Sequence, residues 1–87
     1  MVGLITIKIF LKMTTIPVKI QITYSNSETQ RLGVKEGDVF DAENETFNGK
    51  PKLQCWFKAK NGKSCIAYNC QHDEDELIKV TTCKILK

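Results

Sequence analysis

The fold is decided by residues 39–70, which read VFDAENETFNGKPKLQCWFKAKNGKSCIAYNC. Two Asn-Gly dipeptides, Asn48-Gly49 and Asn61-Gly62, divide this stretch into three runs in which apolar and polar residues alternate. Asn-Gly accommodates positive φ at both central positions of a type I′ turn, whose twist matches that of paired strands. We therefore predict two tight hairpins that join three consecutive strands into a meander.

The two turns also predict which side chains face the core. Two-residue loops at both sites place Ala42 opposite Cys55 and Cys55 opposite Tyr68, and these pairings agree with the hydrophobic pattern. The predicted core face collects Phe40, Ala42, Leu53, Cys55, Phe57, Ile66, Tyr68 and Cys70. The predicted outer face collects Asp41, Glu43, Glu45, Lys52, Gln54, Trp56, Lys58, Lys60, Lys63, Cys65 and Ala67.

The flanking sequence continues the β pattern. Residues 18–24 alternate apolar and polar side chains, which is typical of a half-buried strand, and residues 5–11 alternate in a similar way. The polar segment 25–31, SNSETQR, predicts a loop. A last strand is predicted through residues 77–80 and on toward Leu86. With no linker and no internal repeat, residues 1–87 form a single domain.

Composition limits the functional classes. The chain has 87 residues, of which 41% are hydrophobic and 26% charged, as in an ordinary soluble globular domain. Its formal charge of +3 falls short of a strongly basic nucleic-acid footprint. Lys8 interrupts the apolar start, no small-residue cleavage pattern follows, and no run has the length of a membrane span. We therefore expect a cytoplasmic protein, not bound to a membrane, whose four cysteines are free thiols.

The order of elements resembles that of the small SH3-like β-barrels. A strand is followed by a long polar loop, the Gly37-Asp38-Val39-Phe40 strand start, two tight hairpins and a last strand. Segment 32–40, LGVKEGDVF, is similar to the loop-to-strand passage of small SH3-like proteins of the phage and prophage accessory type. The resemblance covers residues 16–80 and implies an all-β barrel of about five antiparallel strands, with residues 1–12 as an additional strand or an extension. It implies binding and no reaction.

The sequence contains no constellation of catalytic or metal-binding residues. The cysteines lack the close pairs of zinc sites, and only Cys70 with His72 has the residue types to begin one. Cys65 is predicted on the outer face opposite Lys58, with no base beside it. The acidic run 73–76 lacks the spaced oxygens and glycine of a calcium loop. We expect no enzyme activity, no cofactor and no bound metal.

The remaining candidate site is the outer face around Trp56, the only tryptophan. The predicted register places it between Gln54 and Lys58 and opposite Asp41. Tryptophan is a favoured anchor in protein interfaces. We therefore predict a protein partner, of host or viral origin. The predicted partner-binding residues are Trp56, Lys58, Lys60, Lys63, Asp41 and Glu43.

Three alternatives use the same fold. Aromatic side chains with nearby cations hold single-stranded nucleic acid, and here Trp56, Tyr68 or Phe10 would act with the lysine tip 58–63. An apolar edge strand at residues 4–11 would instead support homo-oligomerisation. In a purely structural interpretation, Trp56 is covered by residues 2–12 or by the long loop, and the outer charges form a cross-strand ladder.

Overall fold

The computed structural model of the protein describes residues 13–71 and 80–87. Within these ranges one sheet closes into a barrel, which confirms the predicted all-β, small SH3-like fold. The elements in chain order are β1 (Met13–Tyr24), α1 (Ser27–Arg31), β2 (Val39–Phe47), β3 (Lys50–Lys58), β4 (Ser64–Asn69) and β5 (Thr82–Leu86). The strand or extension predicted at residues 1–12, and the start of the last strand at 77–79, lie outside the described residues.

The strands follow one another around the barrel, but the seams between them differ in length. Four seams are antiparallel as predicted, and the longest joins β1 to β2. The β4–β5 seam differs from the prediction because it is parallel and contains only two register pairs, Tyr68 with Thr82 and Asn69 with Cys83. The barrel is therefore most weakly closed where β4 ends.

The barrel interior contains a few large side chains and many small ones. Ile20 and Ile22 come from β1, and the Phe57 ring lies 4.7 Å, centroid to centroid, from that of Phe40. The remaining space is filled by buried alanine and cysteine side chains, since the bore of a small barrel is narrow. These small core residues are Ala42, Cys55, Ala59, Cys65, Ala67 and Cys83.

The first hairpin begins as predicted and then departs from the predicted register. Asn48 and Gly49 have φ of 51° and 78°, as a type I′ turn requires, and Phe47 pairs with Lys50. Farther along, residues 52–54 of β3 face a single residue of β2, which shifts the pairing by two residues.

Two predictions for this hairpin are therefore wrong. Ala42 lies opposite Phe57 instead of Cys55, and Leu53 is 53% exposed instead of belonging to the core. The buried side chain of Asn44 stabilises the bulge, because its Nδ2 donates to the carbonyl oxygens of Lys52 at 2.9 Å and Gln54 at 3.0 Å. A shift of two residues preserves alternation, so the predicted faces of β2 and of residues 55–58 are retained.

The second Asn-Gly forms a different turn. The Gly62 amide donates to the Ala59 carbonyl at 2.8 Å, and the Ala59 amide donates to the Lys63 carbonyl at 3.0 Å. Gly62 has a φ of 84°, whereas Asn61 does not have positive φ. This is a three-residue loop with a glycine bulge, where the sequence predicted a two-residue loop.

The extra loop residue reverses the two faces of β4. Trp56 now pairs with Ile66, and Phe57 pairs with Cys65. A one-residue slip moves every side chain of a strand to the opposite face. Cys65 and Ala67 are therefore buried, and the prediction that they face outward is wrong. Ile66, Tyr68 and Cys70, which were predicted in the core, are half-buried or exposed.

The segment after β1 contains a short helix, where the sequence predicted a loop. Asn26 caps α1, since its Oδ1 accepts a hydrogen bond from the Thr29 amide at 3.0 Å. The Thr29 hydroxyl lies 2.8 Å from that of Thr81, and both residues are buried. The helix is thereby tied to the segment that leads into β5, which places it at the edge of the outer face described below.

Candidate functional site

A row of four side chains crosses four strands on the outer face of the sheet. Pro17 pairs with Glu43, Glu43 with Trp56, and Trp56 with Ile66. Directly paired residues have Cβ atoms about 4.5–5.5 Å apart, so these side chains are neighbours. We call Pro17, Glu43, Trp56 and Ile66 the outer row. It presents three apolar side chains and one carboxylate.

Trp56 faces outward because both of its neighbours in β3 face the core. Cys55 and Phe57 are buried, whereas Trp56 is 41% exposed. The indole Nε1–H donates to the Glu45 carboxylate at 2.5 Å, which satisfies its one polar atom and fixes the orientation of the ring. The largest side chain of the outer row is therefore already hydrogen-bonded to the neighbouring strand β2.

Two open grooves border the indole. Groove A runs across β1, β2 and β3, and its apolar lining includes Pro17, Phe40 and Trp56. Groove B lies between α1 and the β3–β4 hairpin, where Leu32 faces Ile66 and Trp56. Trp56 lines both grooves, so a bound chain or loop that crosses from one groove to the other passes over the indole.

Each groove carries charges of both signs. Groove A is lined by Asp41, Glu43 and Lys58, and groove B by Glu28, Arg31 and Lys63. Within residues 13–71 and 80–87 a single ion pair forms, between Lys19 Nζ and Asp41 Oδ1 at 3.8 Å, and it is largely exposed. Glu43 therefore has no ion-pair partner within those ranges, although it lies between two apolar side chains.

The predicted partner-binding residues are partly brought together. Trp56 lines both grooves, whereas Lys58 lines groove A and Lys63 lines groove B. The prediction that Asp41 lies opposite Trp56 is wrong, because the bulge in β3 places Glu43 there and leaves Asp41 opposite Lys19. Asp41 still lines groove A. Lys60 is exposed in the loop after β3 and lines neither groove.

Sequence reasoning missed Pro17, Ile66 and Arg31 as members of this surface. Proline inside a strand is confined to places where its missing N–H is not required for pairing. Pro17 could therefore have indicated, from the sequence alone, that this part of the strand lies at an edge. Ile66 was assigned to the core because a two-residue loop was assumed. Arg31 required knowledge of α1, which the Asn26 cap could have indicated.

The four thiols differ in exposure, and among the described residues they belong to no metal-binding cluster. Cys65 was predicted to lie exposed opposite Lys58, and this is wrong: it is buried opposite Phe57, and burial raises the pKa of its thiol. All four cysteines are free. In the described part of the chain, no three metal-ligating side chains lie together. His72, the partner considered for Cys70, is outside that part.

Comparisons with known proteins give this site no name. No protein-family model, no curated protein and no solved structure matches the chain. Across residues 13–71 and 80–87, no helix has both the length and the apolar character needed to cross a membrane. The geometry of the outer row is therefore the basis for assigning a function.

Proposed function

We propose that the chain is a non-catalytic protein-binding module whose partner docks on the outer row. The observation that carries the proposal is the exposed indole of Trp56, hydrogen-bonded to Glu45 and placed between two grooves on the outer face of the sheet. An aromatic anchor buries a large area on binding and dominates many interfaces. Because Glu45 already orients the ring, little side-chain entropy is lost when a partner covers it.

The charges around Trp56 favour a particular partner chemistry. Glu43 lies beside the indole without an ion pair in the described ranges, so a Lys or Arg side chain of the partner can meet both the carboxylate and the aromatic face. Arg31 and Lys63 outweigh Glu28 in groove B, which favours a carboxylate there. A partner with an apolar anchor, a cation on one side and an anion on the other matches this order of charges.

The wider biological setting is part of the same proposal. The resemblance to phage-type SH3-like proteins supports an accessory protein with a host or viral partner. Four free thiols support a reducing, cytoplasmic location. Docking on the outer row requires neither a phage origin nor a particular compartment.

A displayed random-peptide library, selected on the wild-type protein and depleted on Trp56→Ala, tests the proposal. We expect the recovered ligands to combine an apolar residue with a neighbouring Lys or Arg. Trp56→Ala should weaken their binding about 30-fold or more, the range of an interface hot spot, and Glu43→Gln should weaken it less.

Val39→Ala is the matched control for this selection, because Val39 is apolar and 48% exposed but lies outside the outer row and both grooves. Its ligand affinity should equal that of the wild type. Recovery of no ligand that depends on Trp56 would contradict the proposal.

Self-association is a second candidate function with its own observation. The first half of β1, residues 13–18, pairs with β2 but not with β5. Four of the six exposed large apolar side chains in the described residues lie on this part of the sheet and the adjoining hairpin: Met13, Ile16, Phe47 and Leu53. An unpaired apolar edge can accept another strand. A sedimentation coefficient independent of concentration would eliminate this candidate.

Binding of single-stranded nucleic acid is supported by Trp56 with Lys58 and Lys63 on the same surface. Asp41 and Glu43 line groove A and would repel phosphate. Trp56 fluorescence during titration with a mixed-sequence single-stranded oligonucleotide decides the question. Quenching at low salt that disappears at high salt would replace the protein partner with nucleic acid.

A further inference from the structure

Cys70 and Cys83 lie near one another at the seam where the barrel closes. Cys83 on β5 is buried in the core, where Cys55 on β3 is also buried. Cys70 follows β4 and is exposed. One thiol of this pair is therefore accessible to solvent and the other is in the core.

Backbone geometry independently places Cys70 beside Cys83. Asn69, the residue before Cys70, is the register partner of Cys83 in the parallel β4–β5 seam. Paired strands lie about 4.8 Å apart and consecutive Cα atoms about 3.8 Å apart, so the Cα atoms of Cys70 and Cys83 are separated by roughly 4–8 Å. Disulfides span Cα separations in this range. Cys70 and Cys83 also line a common surface groove, where an oxidant can reach the exposed Cys70 from solvent.

We propose that Cys70 and Cys83 form a disulfide when the protein reacts with hydrogen peroxide. Peroxide oxidises the Cys70 sulfur to a sulfenic acid and is itself reduced to water. The Cys83 sulfur then attacks the Cys70 sulfur; the S–S bond forms, the S–O bond breaks, and a second water leaves with the Cys83 proton. The two thiols supply the two electrons, and a dithiol such as dithiothreitol reverses the step.

The order of the two steps follows from the environments of the two sulfurs. Burial, reinforced by the neighbouring Cys55 and Cys70, raises the pKa of Cys83 to about 12, so this thiol is a poor first target for peroxide. Cys70 is exposed and reacts first.

The disulfide would have a structural consequence, because it fastens the shortest seam of the barrel. Closing a loop of roughly 15 residues should raise the midpoint of thermal unfolding by about 10 °C or more.

Peroxide treatment of the full-length protein, followed by thiol counting under denaturing conditions and tryptic mapping, tests the proposal. Trypsin separates residues 53–58, which contain Cys55, from 64–79 and 80–84, which contain the other three cysteines. We expect the wild type to lose two thiols, to link peptide 64–79 to peptide 80–84, and to gain thermal stability that dithiothreitol removes.

Two variants decide the assignment. Cys65→Ala should retain the link, which shows that Cys70 supplies the sulfur from peptide 64–79. Cys70→Ser, a change at an exposed position, should lose both the link and the thermal shift while remaining folded. A link through Cys55, a covalent dimer through Cys70, or equal thiol loss in Cys70→Ser and wild type would each overturn the proposal.

Discussion

The two Asn-Gly hairpins of this barrel share a dipeptide but form different turns. At Asn48-Gly49 both residues have positive φ, and the loop has two residues. At Asn61-Gly62 only the glycine does, and the loop has three residues with a bulge. Asn-Gly therefore predicts a hairpin reliably here but does not determine whether the following strand keeps or reverses its faces.

The difference between the hairpins creates the candidate site. With a two-residue second loop, Ile66 would face the core, and Trp56 would have Cys65 and Ala67 among its neighbours on the outer face. The three-residue loop instead pairs Trp56 with Ile66 and buries Cys65 and Ala67. One additional loop residue thus places Ile66 beside Trp56 and completes the outer row, which has grooves on both sides of the indole.

The largest expected effect comes from placing a charge on either face of β4. Ala67→Asp buries an unpaired carboxylate and should lower the free energy of unfolding by about 3–5 kcal/mol. Ile66→Asp should cost less than about 2 kcal/mol, because Ile66 lies at the outer surface. Urea unfolding of both variants measures the difference. The opposite ranking would show that the second hairpin has a two-residue loop.

A smaller contrast separates the adjacent aromatic residues of β3. Phe57→Ala removes a buried ring that packs on Phe40 and should cost about 3–5 kcal/mol. Trp56→Ala removes a ring that is 41% exposed and should cost less than about 2 kcal/mol. Denaturant midpoints compare the two variants. Equal losses would mean that Trp56 belongs to the core and that no docking face exists.

The turns themselves should respond unequally to alanine. Asn48→Ala forces alanine into a left-handed conformation and should cost about 1–2 kcal/mol. Asn61→Ala loses only the exposed hydrogen bond from the Lys63 amide to Oδ1 and should cost about 0.5 kcal/mol. Gly49→Ala and Gly62→Ala provide the matched control, since both glycines have positive φ and both changes should cost about 1–2 kcal/mol.

Chemical labelling of the thiols compares the two hairpins with the least disturbance of the fold. Native protein treated with iodoacetamide should react at the exposed Cys70 and much more slowly at Cys65, because burial removes access and raises the pKa of the Cys65 thiol. Mass spectrometry of a Cys70→Ser variant isolates the slow sites. If Cys65 reacts as fast as Cys70, it faces solvent, and the two hairpins are equivalent.

Much of the architecture was predictable from alternation and turn residues. The all-β class, both hairpin positions, the core role of Phe57 and the outward orientation of Trp56 all follow from the sequence. The loop length at Asn61-Gly62 does not, because the larger side chains Ile66 and Tyr68 made the wrong face of β4 appear apolar. Small-barrel interiors require small residues at such positions, and Cys65 and Ala67 fill that requirement.

The candidate site was predictable only in part, for two local reasons. The bulge in β3 depends on Asn44 bonding the Lys52 and Gln54 carbonyls, a long-range choice that no dipeptide signals. Because of this bulge, the residue opposite Trp56 is Glu43 and not the predicted Asp41. Helix α1, which forms one wall of groove B, has only five residues, so its Asn26 cap was the one usable signal.

The central claim, that a partner docks on the outer row, is tested most directly by nuclear magnetic resonance. A peptide selected on the wild-type protein is titrated into the ¹⁵N-labelled chain. Docking on the outer row predicts the largest chemical-shift changes at the Trp56 indole N–H and at the Glu43 and Ile66 amides. Largest changes at residues 13–16 or at Phe47 would contradict it and move the binding surface to the first half of β1.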